Sequence, residues 1–170
     1  MGTALPYMDQ AMPKIDIAKV PERRGSDYPA PYAEPVNARV RQALGHAGGL
    51  TDVGVNLVHL PPGSWSSQRH WHTREEEFVY VLAGELTLLT NAGEQLLRAG
   101  DCVAFPRNVP DGHHMINRAE ETAVYLDIGT RHADDTCNYS DIDLHLGPEP
   151  ADYSHKDGTA YAPAQKQPTQ

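Results

Sequence analysis

From residue 77 to residue 105 the chain reads EFVYVLAGELTLLTNAGEQLLRAGDCVAF, and this stretch limits the fold more than any other. Its apolar runs are short and are broken by Ala83-Gly84, Asn91-Ala92-Gly93 and Ala99-Gly100. Asn and Gly tolerate positive φ, so Asn91-Ala92-Gly93 suits a tight hairpin. Upstream, DVGVNLVHL at 52–60 is rich in β-branched residues and is stopped by Pro61-Pro62-Gly63. Downstream, TAVYLDIG at 122–129 supplies a further strand. Many short strands at regular spacing, with almost no helical pattern, predict an all-β sandwich or barrel.

The flanks are different in kind. PERRGSDYPAPYAEPV, within residues 1–36, cannot sustain a helix, because each Pro lacks an N–H and restricts its predecessor. Residues 39–48, RVRQALGHAG, suit either a short strand or a helical turn. The expected organisation is an extended Pro-rich N-terminal arm over 1–36, a β-barrel over 37–130 and a polar C-terminal arm over 131–170. The C-terminal arm is expected to be ordered in part by packing, with its last dozen residues disordered.

A chain of 170 residues supports one domain with a modest core. Its net charge of −9 suits nucleic acid poorly, since that binding draws on Lys and Arg meeting phosphates. The adjacent basic pair Arg23-Arg24 reads as part of a solvated loop. No apolar run approaches the roughly 20 residues needed to span a membrane. MGTALPYMDQAMPKID has no basic start followed by an apolar stretch, and Pro6 stands where a myristoylation signal wants Ser or Thr. A soluble cytoplasmic protein is expected. Cys102 and Cys137 are isolated and read as inert thiols.

The chemistry is concentrated in the histidines. There are nine, and four of them form the pairs His70/His72 and His113/His114. Residues i and i+2 of a strand share a face, so His70 and His72 reach one point. Glu77 opens the next strand on the face of Val79 and Val81, where an unpaired carboxylate is costly. Two imidazoles and a carboxylate converging there suggest a divalent transition metal. His113 follows the strand DCVAF and its loop, and offers a fourth ligand from a neighbouring strand.

Two stretches carry a family resemblance. In the first, Gly63 is followed by six residues, His70-Trp71-His72, four residues, Glu77, six residues and Gly84. In the second, Gly100 is followed by five residues, Pro106, then His113, three residues and Asn117. Both resemble the paired motifs of the cupin superfamily, with two departures. Asn108 replaces the Gly after Pro106, a position that Asn still occupies in a left-handed turn, and the gap before the histidine is two residues longer. The spacing to Asn117 favours His113 over His114 as the ligand. The resemblance implies a cupin double-stranded β-helix, or jelly-roll, barrel. It also implies one divalent transition metal per chain, Fe2+, Zn2+, Mn2+ or Ni2+, held by His70, His72, Glu77 and His113.

The reactions implied range over dioxygenase, lyase, isomerase and decarboxylase chemistry on a small oxygenated or carboxylated organic molecule; the alternative is a non-catalytic small-molecule-binding or sensor cupin. Fold and ligand set do not choose among these. Tyr80, His114 and Asp127 are the candidate proton-transfer groups, although strand parity sets Tyr80 against Glu77 and favours packing for it. His114 is expected to point away from His113. Trp71 is expected to pack between sheets, and Gln68 and Arg69 to lie at the pocket mouth. His46, His59, His132, His145 and His155 have no partner in the sequence and read as surface or satisfied histidines, and Glu75 and Glu76 as solvated turn residues. The expected partners are a small-molecule ligand and a second copy of the chain in a homodimer, with neither nucleic acid nor membrane.

Overall fold

Burial alternates strictly along Val53–Leu60, with Gly54, Asn56, Val58 and Leu60 buried and the residues between them half-exposed. That period of two is the signature of a strand with one face on a core. The computed structural model describes residues 14–148 and 152–161. Its strands in chain order begin with β1 (Glu22–Arg24), β2 (Val40–Ala43), β3 (Val53–Leu60), β4 (His70–His72) and β5 (Glu77–Ala83). There follow β6 (Glu85–Thr90), β7 (Gly93–Arg98), β8 (Cys102–Phe105), β9 (His114–Ile116) and β10 (Ala123–Thr130). The last three are β11 (Cys137–Tyr139), β12 (His145–Leu146) and β13 (Tyr153–Ser154). A single helical turn, α1 (Leu44–Ala47), follows β2 directly, so the segment 39–48 is strand first and turn second.

One wall is a six-stranded antiparallel sheet in the order β1-β2-β3-β10-β5-β8. The other combines β7-β6-β9 with β13-β12-β11-β4, joined by the bridge between His70 and His113. The two walls enclose a core of Val58, Leu60, Val79, Val81, Leu86, Leu88, Leu97, Met115, Ala123 and Tyr125. This is an all-β barrel, within what the strand pattern predicts, and of the jelly-roll kind that the resemblance implies. The three turns fall where expected, between β5 and β6, β6 and β7, and β7 and β8. At the first, Gly84 has φ 73°, and a Cβ there would lie 2.9 Å from the Ala123 Cα, so only Gly fits. Asn108 takes the left-handed conformation at φ 58°.

Both flanks are more structured than composition suggests. Residues 22–24 form β1 and pair with β2, adding an edge to the main sheet. Arg23 and Arg24 therefore sit on a strand and not in a loop. Tyr28 and Val36 are buried in a second cluster with Cys137, Tyr139 and Leu144. Tyr28 meets Tyr139 edge-on at 5.7 Å and Tyr153 at 5.4 Å. This cluster ties the N-terminal segment to β11 and β13, which belong to the supposed C-terminal arm. The jelly roll thus recruits chain from both sides of 37–130. Most of the dozen residues expected to be disordered lie outside the described residues. No helix among the described residues is long and apolar enough to cross a membrane.

Candidate metal centre

Glu77 begins β5 on the inward face, two residues before the buried Val79. Three imidazoles surround its Oε2. His113 Nε2 lies at 2.8 Å, His70 Nε2 at 3.7 Å and His72 Nε2 at 3.8 Å. His70 and His72 reach this point because they alternate on β4 with Trp71 between them, and His113 arrives through its bridge to His70. The four residues are brought together by the sheets from three separate stretches of chain.

The outer nitrogens of the β4 histidines are already engaged. His70 Nδ1 lies 2.9 Å from the Gln68 carbonyl, which can only accept, so Nδ1 carries the proton and Nε2 keeps its lone pair. His72 Nδ1 donates to Asp135 Oδ2 at 2.6 Å, with the same consequence. Asp135 also receives the backbone N–H groups of Arg74 at 2.7 Å and Glu75 at 3.1 Å. Burial disfavours its charge, but the His72 bond and those N–H groups outweigh it and hold the carboxyl below the ordinary range. A ring oriented by a carboxylate on one nitrogen while the other faces a common centre is the usual outer support of a metal ligand. Phe105 stacks on the His113 ring at 3.5 Å and 2° and sets its plane.

The electrostatics suit a cation. Burial alone would raise the Glu77 pKa, but the hydrogen bond from His113 and the nearness of His70 hold it well below the ordinary value. Burial pulls His113 down, overcoming its bond to Glu77, and keeps the ring neutral. His70 goes the other way, because the interaction with Glu77 outweighs burial and raises its pKa. An ionised carboxylate among imidazoles inside a barrel is the donor chemistry a divalent transition metal takes. The ligand atoms of His70, Glu77 and His113 all lie within 4.8 Å of one another, as one ion requires.

Glu77, Phe105 and His113 line two cavities, one on each side of this centre. The first, of about 240 Å³, is lined by Arg23, Arg39, Arg41 and Asp127 among others. The second, of about 340 Å³, is largely apolar, with Leu88, Leu97, Val103 and Val109 in its wall. Asp127 projects inward from β10, opposite Asn56 and Val79 in register. Asn56 Nδ2 donates to its Oδ2 at 3.4 Å, while Oδ1 has no hydrogen-bond partner among the described residues. Burial first, and the Glu77 charge second, push the Asp127 carboxyl up to about 6.

The remaining sequence candidates separate cleanly. Tyr80 lies on the outer face of β5 at 39% exposure, so it neither packs in the core nor reaches the cavities. His114 is buried facing away from Glu77, with Nδ1 on the Ser67 carbonyl at 3.0 Å and its ring edge-on to Trp65. It supports the loop and stands apart from the cluster. Gln68 is buried, with its amide on the Tyr32 carbonyl at 2.7 Å, and Arg69 is paired with Asp141 at 2.7 Å. Neither lines a cavity. Trp71 lines the second cavity, and Glu75, also there, accepts the His132 N–H. Asp135 and the three arginines were absent from the sequence candidates. Asp135 sits in a polar segment with no periodicity to mark it, and the arginines lie in or next to the presumed arm.

The cupin domain family model matches residues 56–129. A sugar phosphate isomerase from a cupin superfamily, of Silicibacter pomeroyi DSS-3, is 40% identical, with 88% of this chain and 97% of that one covered and a TM-score of 0.85. A putative sugar phosphate isomerase from Acidithiobacillus ferrooxidans is 32% identical over 74% of this chain and 81% of that one, with a TM-score of 0.67. A probable oxalate decarboxylase of Arthroderma benhamiae is 33% identical over 82 residues, 45% of this chain. The match spans only 20% of that curated relative's length. With both motif histidines of β4, Glu77 and His113 gathered inside a jelly roll of this topology, the chain belongs to the cupin superfamily.

Proposed function

We propose that the protein is a metal-dependent isomerase that moves a carbonyl between adjacent carbons of a small hydroxy-carbonyl compound. The observation that carries this reading is the position of Asp127. It is an inward carboxylate whose Oδ1 has no hydrogen-bond partner among the described residues and whose pKa is pushed up to about 6, on a cavity that it shares with Glu77, His70 and His113. A base near neutrality beside a Lewis-acid site is what proton shuttling next to a carbonyl needs. The likeness to the Silicibacter pomeroyi isomerase over nearly its whole length supports the same class.

In this reading His70, His72, Glu77 and His113 hold one divalent transition metal, which polarises the substrate carbonyl when bound. Asp127 Oδ1 accepts the proton from the carbon next to the carbonyl and returns it to the former carbonyl carbon. The hydroxyl proton moves the other way, so the exchange consumes no net proton. Val79, Tyr125 and Met115, which line the same cavity, restrict water at the reacting carbons. The cavity volume lies below the roughly 300–1,000 Å³ of drug-sized sites, which fits a small substrate. A homodimer would place the exposed Phe78, Tyr80 and Leu82 of β5 at an apolar subunit contact.

The test is isomerisation of short aldoses, ketoses and their phosphate esters in D2O, followed by NMR. Turnover with solvent deuterium entering at the carbon next to the carbonyl is expected. His72→Ala is expected to lose the metal and at least ~10³-fold in turnover while the barrel stays folded by circular dichroism. Ligand-induced thermal stabilisation with no turnover on any of these compounds would make the protein a binding module instead.

A further inference from the structure

The cavity on the Asp127 side carries a group of charges that the metal centre does not explain. Arg23, Arg39 and Arg41 all line it. β1 pairs with β2 so that Arg23 stands opposite Arg41, and Arg41 stands opposite the buried Val58 of β3. The side chains of this row share the inward face of the sheet. Arg39 precedes Arg41 by two residues and so shares its face. The chain has 23 acidic residues against 14 basic ones, yet three of the basic ones meet on one wall.

Their partners are incomplete. Arg23 is paired with Asp27 at the rim. Arg39 donates from Nη1 to the Ser66 carbonyl and from Nη2 to the Gly25 carbonyl at 3.0 Å, contacts that fix its position without neutralising it. Arg41 has neither a hydrogen bond nor an ion pair among the described residues, although it is half-buried. Two buried polar side-chain atoms lack a hydrogen bond among the described residues, Ser26 Oγ and Arg39 Nε, and both residues line this cavity. Buried donors without acceptors cost free energy and call for an explanation, of which a ligand is one. Burial, with Arg39 and Arg23 beside it, pulls the Arg41 pKa down, against the opposing charge of Asp127.

We propose that Arg41 and Arg39, with Arg23 at the rim, form a recognition site for the phosphate group of a phosphate monoester, whose other end reaches the His/Glu centre. This rests on the isomerase reading above and specifies its substrate class. Guanidinium forks match phosphate oxygens two at a time, and two guanidiniums with no ion pair among the described residues suit a dianion better than a carboxylate. The same cavity is lined by Asp27, Glu77 and Asp127, of which only Asp27 forms an ion pair with any of the three arginines among the described residues.

The test uses inorganic phosphate alone as probe. The full-length protein as purified, Arg41→Gln, Arg41→Lys, Arg23→Gln and His72→Ala are titrated with phosphate by calorimetry, and metal content is measured on each. Wild type is expected to bind phosphate. Arg41→Gln is expected to weaken it at least tenfold and Arg41→Lys less, with metal content unchanged. His72→Ala is expected to lose the metal and keep phosphate binding. The rim variant Arg23→Gln, expected to weaken phosphate severalfold, serves if Arg41→Gln does not fold in phosphate-free buffer. Acetate at equal concentration is expected not to compete. No phosphate binding by wild type, binding unchanged in both Arg41→Gln and Arg23→Gln, loss of binding in His72→Ala, or equal competition by acetate would each overturn the proposal. Absence of metal from wild type, with phosphate binding still dependent on Arg41, would sink the isomerase reading and leave the anion site standing.

Discussion

The two cavities that meet at Glu77 and His113 share a wall and differ in almost everything else. One side presents three arginines and Asp127, and the other presents Leu88, Leu97, Val103 and Val109. The difference comes from the strands behind each. The charged side is backed by β1, β2 and β10, where inward positions hold Arg23, Arg41 and Asp127. The other side is backed by β6, β7 and β8, which bring Leu88, Leu97 and Val103 to it beside the polar Thr90 and Gln95. Charged groups facing a barrel interior cost free energy unless they are paired, hydrogen-bonded or bound to a ligand, so the arginine and Asp127 side is where chemistry is expected, while the other side is mainly apolar.

The widest contrast between the sides is a pair of substitutions. Asp127→Asn is expected to lower kcat by ~10²- to 10⁴-fold with the metal retained, the range for a lost general base. Val103→Ala, in the apolar wall, is expected to cost about 1 kcal/mol of stability and to leave kcat/KM within about twofold. Steady-state kinetics and thermal unfolding on both variants check this. Equal losses of activity would erase the distinction between the cavities.

A smaller effect is expected behind the centre. Asp135→Asn keeps the shape of the group that receives His72 Nδ1 but removes its charge. Metal affinity is expected to fall by ~10- to 100-fold, with little change in turnover at saturating metal. Competition against a chelating dye measures it.

The smallest effect is a pH shift. The folded Asp127 carboxyl is pushed up to about 6 from an ordinary 3.8, by burial and then by the Glu77 charge. The folded state therefore holds this proton more tightly than the unfolded chain does. Its contribution to stability is fully present below 3.8 and is lost as pH rises through about 6. Activity runs oppositely, since the base works only when ionised, and is expected to climb through the same range. A cation beside Glu77 cancels the second cause, so the Asp127 midpoint in metal-loaded protein is expected below that in chelator-treated protein. Carboxyl carbon NMR on the two forms compares them.

Much of the centre was legible in the residues because it depends on short periods. His70 and His72 share a strand face by parity, and Glu77 shares one with Val79 and Val81 by the same rule. The turns at Gly84, Asn91-Ala92-Gly93 and Gly100 were legible because Gly and Asn mark positive φ. Asp135 was not legible. It reaches His72 from 63 residues away, through the pairing of β11 with β4, and no local pattern encodes that pairing. Arg23 was misread for the same reason. A basic pair among prolines looks like solvated loop until β1 is seen to hydrogen-bond with β2. Parity already set Tyr80 on the face opposite Glu77, and the structure shows that face exposed where packing was favoured.

The sequence by itself determined that the chain makes short strands, where they turn and which histidines share a face. These follow from backbone sterics and from a side-chain period of two, both local. The spacing to Asn117 favoured His113 over His114, and the tertiary structure carried it to the β4 pair through the bridge to His70. The tertiary structure alone placed Asp127 on the same cavity as Glu77, and brought a strand from each flank into the barrel. Those outcomes depend on which strands pair and in what register, a choice made by burying one common core.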